Sequence, residues 1–300
     1  MTSQALRQDA DRILAASLKA VDPYAAVTAA LSLEGDRLRV GEKVWNLSDF
    51  DRVIAVGAGK AGAPMAQALE DALGPRLNAG LVVVKDGHTA PTKVVELMEA
   101  SHPVPDQRGV AAGQRLAELL AKEAGPRTLV FCLLSGGGSA LMVSPAQGIS
   151  LADKQQTTRL LLACGADIGE INAIRKHLSQ LKGGNLARLA HPSPVVSLIV
   201  SDVVGDRLDV IASGPTVGDQ STWPEVAAIL DRHRIRAEIP ETVRQRLEAG
   251  LKGEIPDTPK PGQADLAGVT NLVVASNFQA LTAAANQAQL LGYSPLILSS

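Results

Sequence analysis

Glycines and a lysine occur together at residues 57–62, in a pattern that can bind phosphate. The segment Gly57-Ala58-Gly59-Lys60-Ala61-Gly62 follows a short apolar run and precedes a helix-length stretch. Its G-x-G-x-x-G spacing is typical of dinucleotide-binding turns, because free N–H groups at a helix start hold phosphate. Asp86 stands roughly where such folds place the acid that binds ribose. Lys60 suits a terminal phosphate at least as well as a pyrophosphate, and an ordinary tight turn is the alternative.

A second glycine-rich segment, Ser135-Gly136-Gly137-Gly138-Ser139-Ala140, follows another apolar run. Three consecutive glycines are costly in conformational entropy, so they indicate a place where the backbone approaches a ligand closely. The flanking Ser135 and Ser139 hydroxyls can donate to anionic oxygens. A flexible turn is the alternative interpretation.

Carboxylates follow a third apolar run, in Ser201-Asp202-Val203-Val204-Gly205-Asp206-Arg207. Near two anion-binding loops, Asp202 and Asp206 are candidate ligands of Mg²⁺. Asp202 is also a candidate acceptor for the proton of a substrate hydroxyl. Helix capping or turn formation is the alternative for both.

A cationic segment runs from Asn172 to Gly184. On a helix expected at about 169–181, Arg175, Ser179 and Lys182 would share one face, with Asn172 one turn before them. Such a face suits an anionic substrate, and a solvated basic helix with a glycine C-cap is the alternative. We expect structural roles for His102 and His177.

A repeating order of elements positions these segments. Apolar runs predict buried strands at 53–56, 81–84, 128–134, 195–200, 271–276 and 295–300. Helices are expected at about 61–73, 109–123, 150–164, 169–181, 223–232, 241–251 and 277–291. This alternation predicts an α/β fold with a three-layer α/β/α, Rossmann-like, mostly parallel sheet. Ligands of such sheets bind beyond the carboxyl ends of the strands.

Residues 253–269 interrupt this order with three prolines and three glycines. We therefore predict an α/β domain over 1–252, a linker or surface crossing over 253–269, and the start of a second α/β domain over 270–300. The last predicted strand reaches Ser300 without the loop and covering helix that a parallel sheet calls for. We expect the second domain to be truncated.

Composition excludes several classes of protein. The net charge is -2 and aromatic residues are 2% of the chain, which argues against a nucleic-acid-binding protein. No apolar run approaches the length of about 18 residues that would predict a membrane-spanning helix, and the first twenty residues lack a signal-peptide core. The two cysteines, Cys132 and Cys164, fit a reducing compartment, so a cytoplasmic location is expected.

Together these segments resemble the type II glycerate kinases, the glycerate 2-kinase family with a C-terminal MOFRL domain, whose relatives are often labelled hydroxypyruvate reductases. The stretches that carry the resemblance lie between about residues 50 and 220: VGAGKAG, SHPVPD, LLSGGGSALM, TTRLLLACGADIGEINAIRKHLSQLKGGNLA and SLIVSDVVGDRLDVIASGPT. Several long motifs in one order are far more specific than a single glycine-rich turn.

The resemblance implies a kinase that transfers the γ-phosphoryl group of ATP to the 2-hydroxyl of D-glycerate with Mg²⁺. It implies that Lys60 is catalytic or contacts phosphate, and that Asp202 binds the metal or orients the hydroxyl. From the helix face that they are expected to share, we infer that Asn172, Arg175 and Lys182 hold the substrate carboxylate or phosphates. Small molecules would be the partners, with no nucleic acid and no membrane, and a homodimer stays open.

Two departures from the family qualify this interpretation. Relatives commonly carry Asp at position 207, where this chain has Arg207, which affects a metal site built there. Relatives also continue past the equivalent of Ser300, so we expect a fragment, and whether the isolated chain is active stays open. An NAD(P)-dependent hydroxypyruvate reductase using Gly57, Gly59 and Gly62, and a non-catalytic module that binds a phosphorylated metabolite, are the alternatives.

Overall fold

A six-stranded parallel β-sheet forms the centre of the protein in a computed structural model, which describes residues 3–299. The strands of this part are β1 Leu31–Glu34, β2 Arg37–Val40, β3 Lys43–Asn46, β4 Arg52–Ala58, β5 Ala79–Lys85, β6 Val95–Ala100, β7 Thr128–Ser135, β8 Val195–Ser201 and β9 Val269–Ser276. The helices are α1 Ser3–Ala20, α2 Pro23–Ala30, α3 Gly62–Leu73, α4 Gln107–Glu123, α5 Gly138–Leu141, α6 Leu151–Ala163, α7 Ile168–His177, α8 Asn185–Ala190, α9 Trp223–Arg232, α10 Glu241–Leu251 and α11 Asn277–Leu290.

The order of the strands creates a ligand-binding position in the middle of the sheet. The strands lie in the order β6-β5-β4-β7-β8-β9, and every neighbouring pair is parallel. After β6 the chain returns to the centre and adds β7 beside β4. The loops that follow β4 and β7 therefore run in opposite directions, which is the switch point where open α/β sheets bind ligands.

Helices cover both faces of this sheet. Side chains alternate along β4, so that Val53 packs beneath α2 and α3 whereas Ile54 packs beneath α4 and α8. β1, β2 and β3 form a small antiparallel sheet on the α3 side. The predicted α/β fold with a mostly parallel sheet between helical layers is confirmed. A further apolar cluster, centred on Trp223, packs α6, α7, α9 and α10 together.

The expected helix over 169–181 is wrong at its C-terminal end. α7 stops at His177, and Leu178 is its C-cap. Beyond it the backbone of Ser179 forms a bridge with Pro145, and the Gln180 amide donates to the Ser144 carbonyl at 2.9 Å. Because these contacts replace helical hydrogen bonds, Ser179 and Lys182 do not share a helix face with Arg175. The other expected helices occur within about two residues of their expected ends.

The structure differs from expectation at three strands. β6 was not predicted, because its sequence VELMEA alternates with charge at an edge of the sheet. β9 pairs with β8 in the main sheet, although we assigned it to the start of a second domain; the division into domains stays a prediction. The predicted strand at 295–300 is wrong over 295–299, where no strand of the described chain pairs with it, and Ser300 lies outside the described residues.

Within residues 3–299, no helix combines the length and the apolar character needed to cross a bilayer.

Candidate active site

The two glycine-rich loops at the switch point are joined by hydrogen bonds. The Lys60 amide, just after β4, donates to the Gly136 carbonyl at 2.9 Å. The Ala61 amide donates to Oγ of the buried Ser135 at 3.0 Å. The loop after β4 therefore depends for its position on the loop after β7.

Close packing explains the glycines of the first loop. A Cβ atom at Gly57 would lie 2.1 Å from the Leu133 carbonyl oxygen, and one at Gly59 would lie 2.0 Å from Ser135 Oγ. A Cβ at Gly62 would lie 2.7 Å from a methyl group of Val82 on β5. Side chains at these positions would push β4, β7 and α3 apart.

The backbone amides of this first loop are already used. The Gly59 amide donates to the Val83 carbonyl at 3.0 Å, and the Gly62 amide donates to the Gly59 carbonyl at 3.1 Å. With the Lys60 and Ala61 bonds, all four amides from 59 to 62 have protein acceptors. The turn has the G-x-G-x-x-G spacing but offers a phosphate no free amide.

The second loop, in contrast, has backbone amides that are not used. Within the part of the chain that the structure describes, the amides of Gly137, Gly138 and Ser139 have no hydrogen-bond acceptor. Gly137 is left-handed, with φ 84° and ψ −11°. Successive amides beside a left-handed residue form a concave anion-binding nest. We call residues 137–139 the amide loop.

Three side chains from separate elements surround the amide loop. A Cβ atom at Gly137 would lie 3.0 Å from the His102 ring and 3.3 Å from Lys60 Cγ, and one at Gly136 would lie 2.1 Å from Asp202 Oδ2. Burial, followed by the positive charges of Lys60 and Lys85, lowers the pKa of His102, whereas Asp202 acts to raise it. Lys60 and Asp202, predicted from separate loops, are thus neighbours, and His102 lies with them.

The cationic residues predicted from the segment 172–184 meet at Ser139. Arg175 Nη2 donates to Ser139 Oγ at 2.8 Å, and Lys182 Nζ donates to the Ser139 carbonyl at 2.8 Å. Asn172 joins through Ser213, whose Oγ donates to Asn172 Oδ1 at 3.3 Å and lies 2.6 Å from Ser139 Oγ. The helical face that suggested this grouping does not exist, but the turn after α7 returns Lys182 to the same place.

Lys154 belongs to this region and was not predicted. It lies on α6, and its Nζ donates to the Leu178 carbonyl at 3.0 Å. Burial, followed by the charges of Arg175 and Arg246, lowers the pKa of Lys154 to about 7. Its neighbourhood, LADKQQTTRL, contains no motif that would single out this lysine.

The two aspartates after β8 face different surroundings. Asp202 lies against Gly136, whereas Asp206 lines a cavity of about 230 Å³ with Ser276, Asn277 and Phe278. No group of three or more metal-ligating side chains occurs within residues 3–299. Mg²⁺ is commonly held by one or two carboxylates, with waters and substrate phosphates completing its shell, and Asp202 beside the amide loop fits that chemistry.

Arg207 does not point its charge at this site. Its Nη2 lies 2.9 Å from Asp209 Oδ2, so the guanidinium has an acidic partner two residues away. The hydrogen bond that Arg207 donates to Asp209, followed by the negative charge of Asp209, raises the pKa of Arg207.

A second polar network fastens the proline-rich segment to α7. His177 Nε2 lies 2.8 Å from Asp257 Oδ1, and Thr258 Oγ1 donates to Asp219 Oδ2 at 3.0 Å. Asp219 also pairs with Lys176 of α7 at 3.2 Å. Residues 257–261, which we call the strap, are thus bound to α7 immediately after Arg175.

Comparison with known proteins places this geometry in a family. A family described as a domain of unknown function, DUF4147, matches residues 9–248. The chain is 41% identical over 300 residues to a "Glycerate 2-kinase" of Pyrococcus horikoshii, covering all of this chain and 66% of that protein. It is 43% identical over 293 residues to a "Putative hydroxypyruvate reductase" of Agrobacterium vitis, covering 97% of this chain and 61% of that protein.

A solved structure shows the same fold. The crystal structure of a glycerate kinase from Thermotoga maritima superimposes with a TM-score of 0.81 at 36% identity, covering 98% of this chain and 65% of that one. The chain thus spans about three fifths to two thirds of the length of these relatives.

Proposed function

The chain belongs to the DUF4147 family, and from this premise we propose that it carries the phosphate-binding and acceptor-binding parts of a glycerate 2-kinase. In the proposed reaction the 2-hydroxyl oxygen of D-glycerate forms a bond to the γ-phosphorus of ATP. The bond between that phosphorus and the β,γ-bridging oxygen breaks, ADP leaves, and the hydroxyl proton is released. The products are 2-phosphoglycerate and ADP.

The amide loop is the observation that carries this proposal. Three free amides at 137–139 lie between Lys60 on one side and Arg175 with Lys182 on the other. Phosphoryl transfer depends mainly on positioning and on stabilising charge at the transferred group. Free amides and an ammonium group supply that stabilisation without needing to reorganise during the reaction.

Each candidate side chain has a role in this scheme. Lys60 neutralises the charge that builds up on the transferred phosphoryl group. Asp202, across Gly136 from Lys60, lies where it can orient the acceptor hydroxyl. Asn172, Arg175 and Lys182 hold the anionic substrate beside Ser139. The glycines 57, 59 and 62 act by letting Lys60 approach the amide loop, rather than through their own amides.

We propose Mg²⁺ as the metal, with Asp202 as its protein ligand. When bound, the ion would supply positive charge to the phosphate oxygens of ATP. Asp206 faces the cavity beside α11 instead of Gly136, which favours Asp202 over Asp206 for this role.

The NAD(P)-dependent reductase alternative is disfavoured by two contacts. The amides from 59 to 62, which would bind the pyrophosphate of a dinucleotide, donate to protein acceptors. Asp86, the candidate for binding ribose, accepts hydrogen bonds from both Nη atoms of Arg108, at 2.6 and 2.8 Å. Neither group is free for the cofactor.

Location and assembly are further proposals. Cys132 and Cys164 are free thiols, which fits a reducing compartment such as the cytoplasm. Substrates would be small molecules only, and a homodimer is the assembly to test first.

Product analysis tests the proposed function. The purified chain is incubated with D-glycerate, ATP and Mg²⁺, and ADP formation is followed by a coupled assay. In phosphorus NMR, a phosphate on the 2-position couples to one proton and gives a doublet, whereas the 3-position gives a triplet. Glycerate-dependent ADP together with a doublet supports the proposal.

Three outcomes would contradict it. A triplet product would move transfer to the 3-hydroxyl. NADH oxidation by hydroxypyruvate, without ADP formation from glycerate, would establish the reductase. Binding of ATP and glycerate without any turnover would leave this chain as a binding module.

A further inference from the structure

Three basic side chains lie near one another without an acidic partner: two of them bond Ser139, and the third bonds the Leu178 carbonyl just after α7. They are Lys154 of α6, Arg175 of α7 and Lys182 of the following turn, and we call them the cation cluster. Within residues 3–299, no carboxylate oxygen lies within 4.0 Å of their charged nitrogens. Lys176, the residue next to Arg175, shows the contrast: its ammonium group pairs with the buried Asp219 at 3.2 Å.

This arrangement is electrostatically unfavourable while the site is empty. Lys182 is 2% exposed, and burial, followed by the charges of Arg175 and Lys154, lowers its pKa well below the usual range. Burial also lowers the pKa of Lys154, because a desolvated ammonium group is less stable than one in water. Like charges gathered in a partly buried place, with perturbed pKa values, mark candidate binding sites for a compensating ion.

We propose that Lys154, Arg175 and Lys182 form the subsite for the carboxylate of the acceptor substrate, and that Lys154 makes the enzyme selective for carboxylates. This proposal rests on the proposed function, and it assigns the carboxylate end and the hydroxyl end of the acceptor to different parts of the site. The amide loop and Lys60 serve the phosphoryl group on one side of Ser139. The cation cluster lies on the other side, where Arg175 presents the planar donors that match a carboxylate.

The burial of the cluster favours a small anion. Lys182 is almost completely buried and Arg175 is half-buried, so that only a compact group reaches both. Ser139 is the last residue of the amide loop, and its hydroxyl accepts a hydrogen bond from Arg175 of the cluster. A carboxylate bound at the cluster would therefore direct the neighbouring hydroxyl carbon toward the amide loop.

The charge of Lys154 makes binding depend on pH. The charged groups that face it are Arg175 of α7, Lys182 and Arg246 of α10, all of which are cationic. Because the pKa of Lys154 is about 7 in the empty site, its positive charge is lost as the pH rises through neutrality. A carboxylate stays ionised across this range, so its affinity should fall between pH 6 and 8.

Calorimetric titration of the whole 300-residue chain with D-glycerate, and separately with ATP, tests the subsite. We expect Lys154→Met to weaken glycerate binding about tenfold at pH 6.5, as befits one charge-assisted contact. ATP affinity should change less than about twofold, because the amide loop is intact. Lys122→Met is the matched control, since the Lys122 side chain is 79% exposed on α4.

Thermal unfolding distinguishes a binding role from a structural one. Lys154→Met removes a desolvated cation from a repulsive cluster, and the Leu178 carbonyl keeps its bond from the Ala146 amide. The unliganded variant should melt at the same temperature as the wild type or higher. The wild type should also lose glycerate affinity from pH 6 to 8, and the loss should be smaller in Lys154→Met.

Unchanged glycerate affinity in Lys154→Met, an equal loss of ATP affinity, or pH-independent binding by the wild type would each overturn the subsite. Titration with small carboxylates, and with glycerol, which has no carboxylate, distinguishes failure of the subsite from failure of the proposed function. If the chain makes no ADP from glycerate but binds carboxylates in a Lys154-dependent way, the proposed function fails and the subsite stands. If it phosphorylates glycerate and Lys154→Met has an unchanged KM, the subsite fails and the proposed function stands.

Discussion

Lys60 brings a positive charge to the amide loop, with its Cγ near Gly137 and its amide fixed by the Gly136 carbonyl. Lys60→Met keeps the length of the side chain and removes the charge. We expect kcat for glycerate-dependent ADP formation to fall by about 10²-fold or more, because charge stabilisation is lost chiefly in the transition state. KM for glycerate should change little, because its carboxylate binds elsewhere.

Steady-state kinetics at saturating ATP measures this effect, and Lys122→Met again serves as the control. A Lys60→Met protein with wild-type kcat would remove Lys60 from the site.

At the scale of residues, the candidate site residues were easier to predict than the residues that they contact. Lys60, Asp202, Arg175 and Lys182 could be selected from the sequence because glycine or polar residues accompany them after buried strands or along one segment. Lys154 could not be selected, because its significance comes from Arg175 and Arg246, which only the packing of α6, α7 and α10 brings near it. Charge clusters between distant segments are properties of the fold.

The contact between β4 and β7 explains why the first loop needs glycine, and it allows a sharp test. Gly57→Ala would place a methyl group 2.1 Å from the Leu133 carbonyl oxygen, in the middle of two paired strands. We expect the free energy of unfolding to fall by about 3 kcal/mol or more, because backbone atoms have to separate.

Gly125→Ala is the matched control for this change. A Cβ atom at Gly125 meets nothing within 4 Å, so its effect should stay within about 0.5 kcal/mol. Urea denaturation compares the two proteins at equilibrium. If Gly57→Ala were as stable as Gly125→Ala, the close approach of the two strands would not hold in solution.

Helices and strands were predictable where they depend on a local sequence pattern, and less predictable where tertiary contacts decide where they end. The apolar runs of β4, β7 and β8 predicted strands, and α3 and α11 occur within about two residues of their expected ends. The end of α7 could not be predicted, because the bridge between Ser179 and Pro145 competes with helical hydrogen bonds only in the folded chain. The free amides of 137–139, likewise, are visible only once their neighbours are placed.

At the scale of the whole molecule, the strap connects the proline-rich segment to the helix that carries Arg175. Burial acts to raise the pKa of Asp257, but hydrogen bonds from His177 and Lys260 hold it well below its usual range. Asp257→Asn keeps the shape and removes the charge. We expect a loss of about 1–2 kcal/mol in the free energy of unfolding at pH 7.

The sign of the pH dependence follows from that lowered pKa. The stabilisation is present above the pKa of about 3.9 in the unfolded chain and is lost as the pH falls toward the folded-state pKa. The difference between wild type and Asp257→Asn should therefore shrink below about pH 4, as measured by urea denaturation. Glu254→Gln, on the exposed side of the same segment, is the control and should show neither effect. A difference that stays constant with pH would contradict the role of the Asp257 charge.

The hydrogen bonds that join the two glycine-rich loops also divide their amide protons into two classes. The protons of Lys60 and Ala61 are held by Gly136 and Ser135, so they exchange with solvent deuterium only when β4 and β7 separate. Those of Gly137, Gly138 and Ser139 have no acceptor in the described chain and would exchange quickly until an anion covers them. Hydrogen exchange would therefore register an anion on one loop, while its neighbour stays protected whether or not the ligand is present.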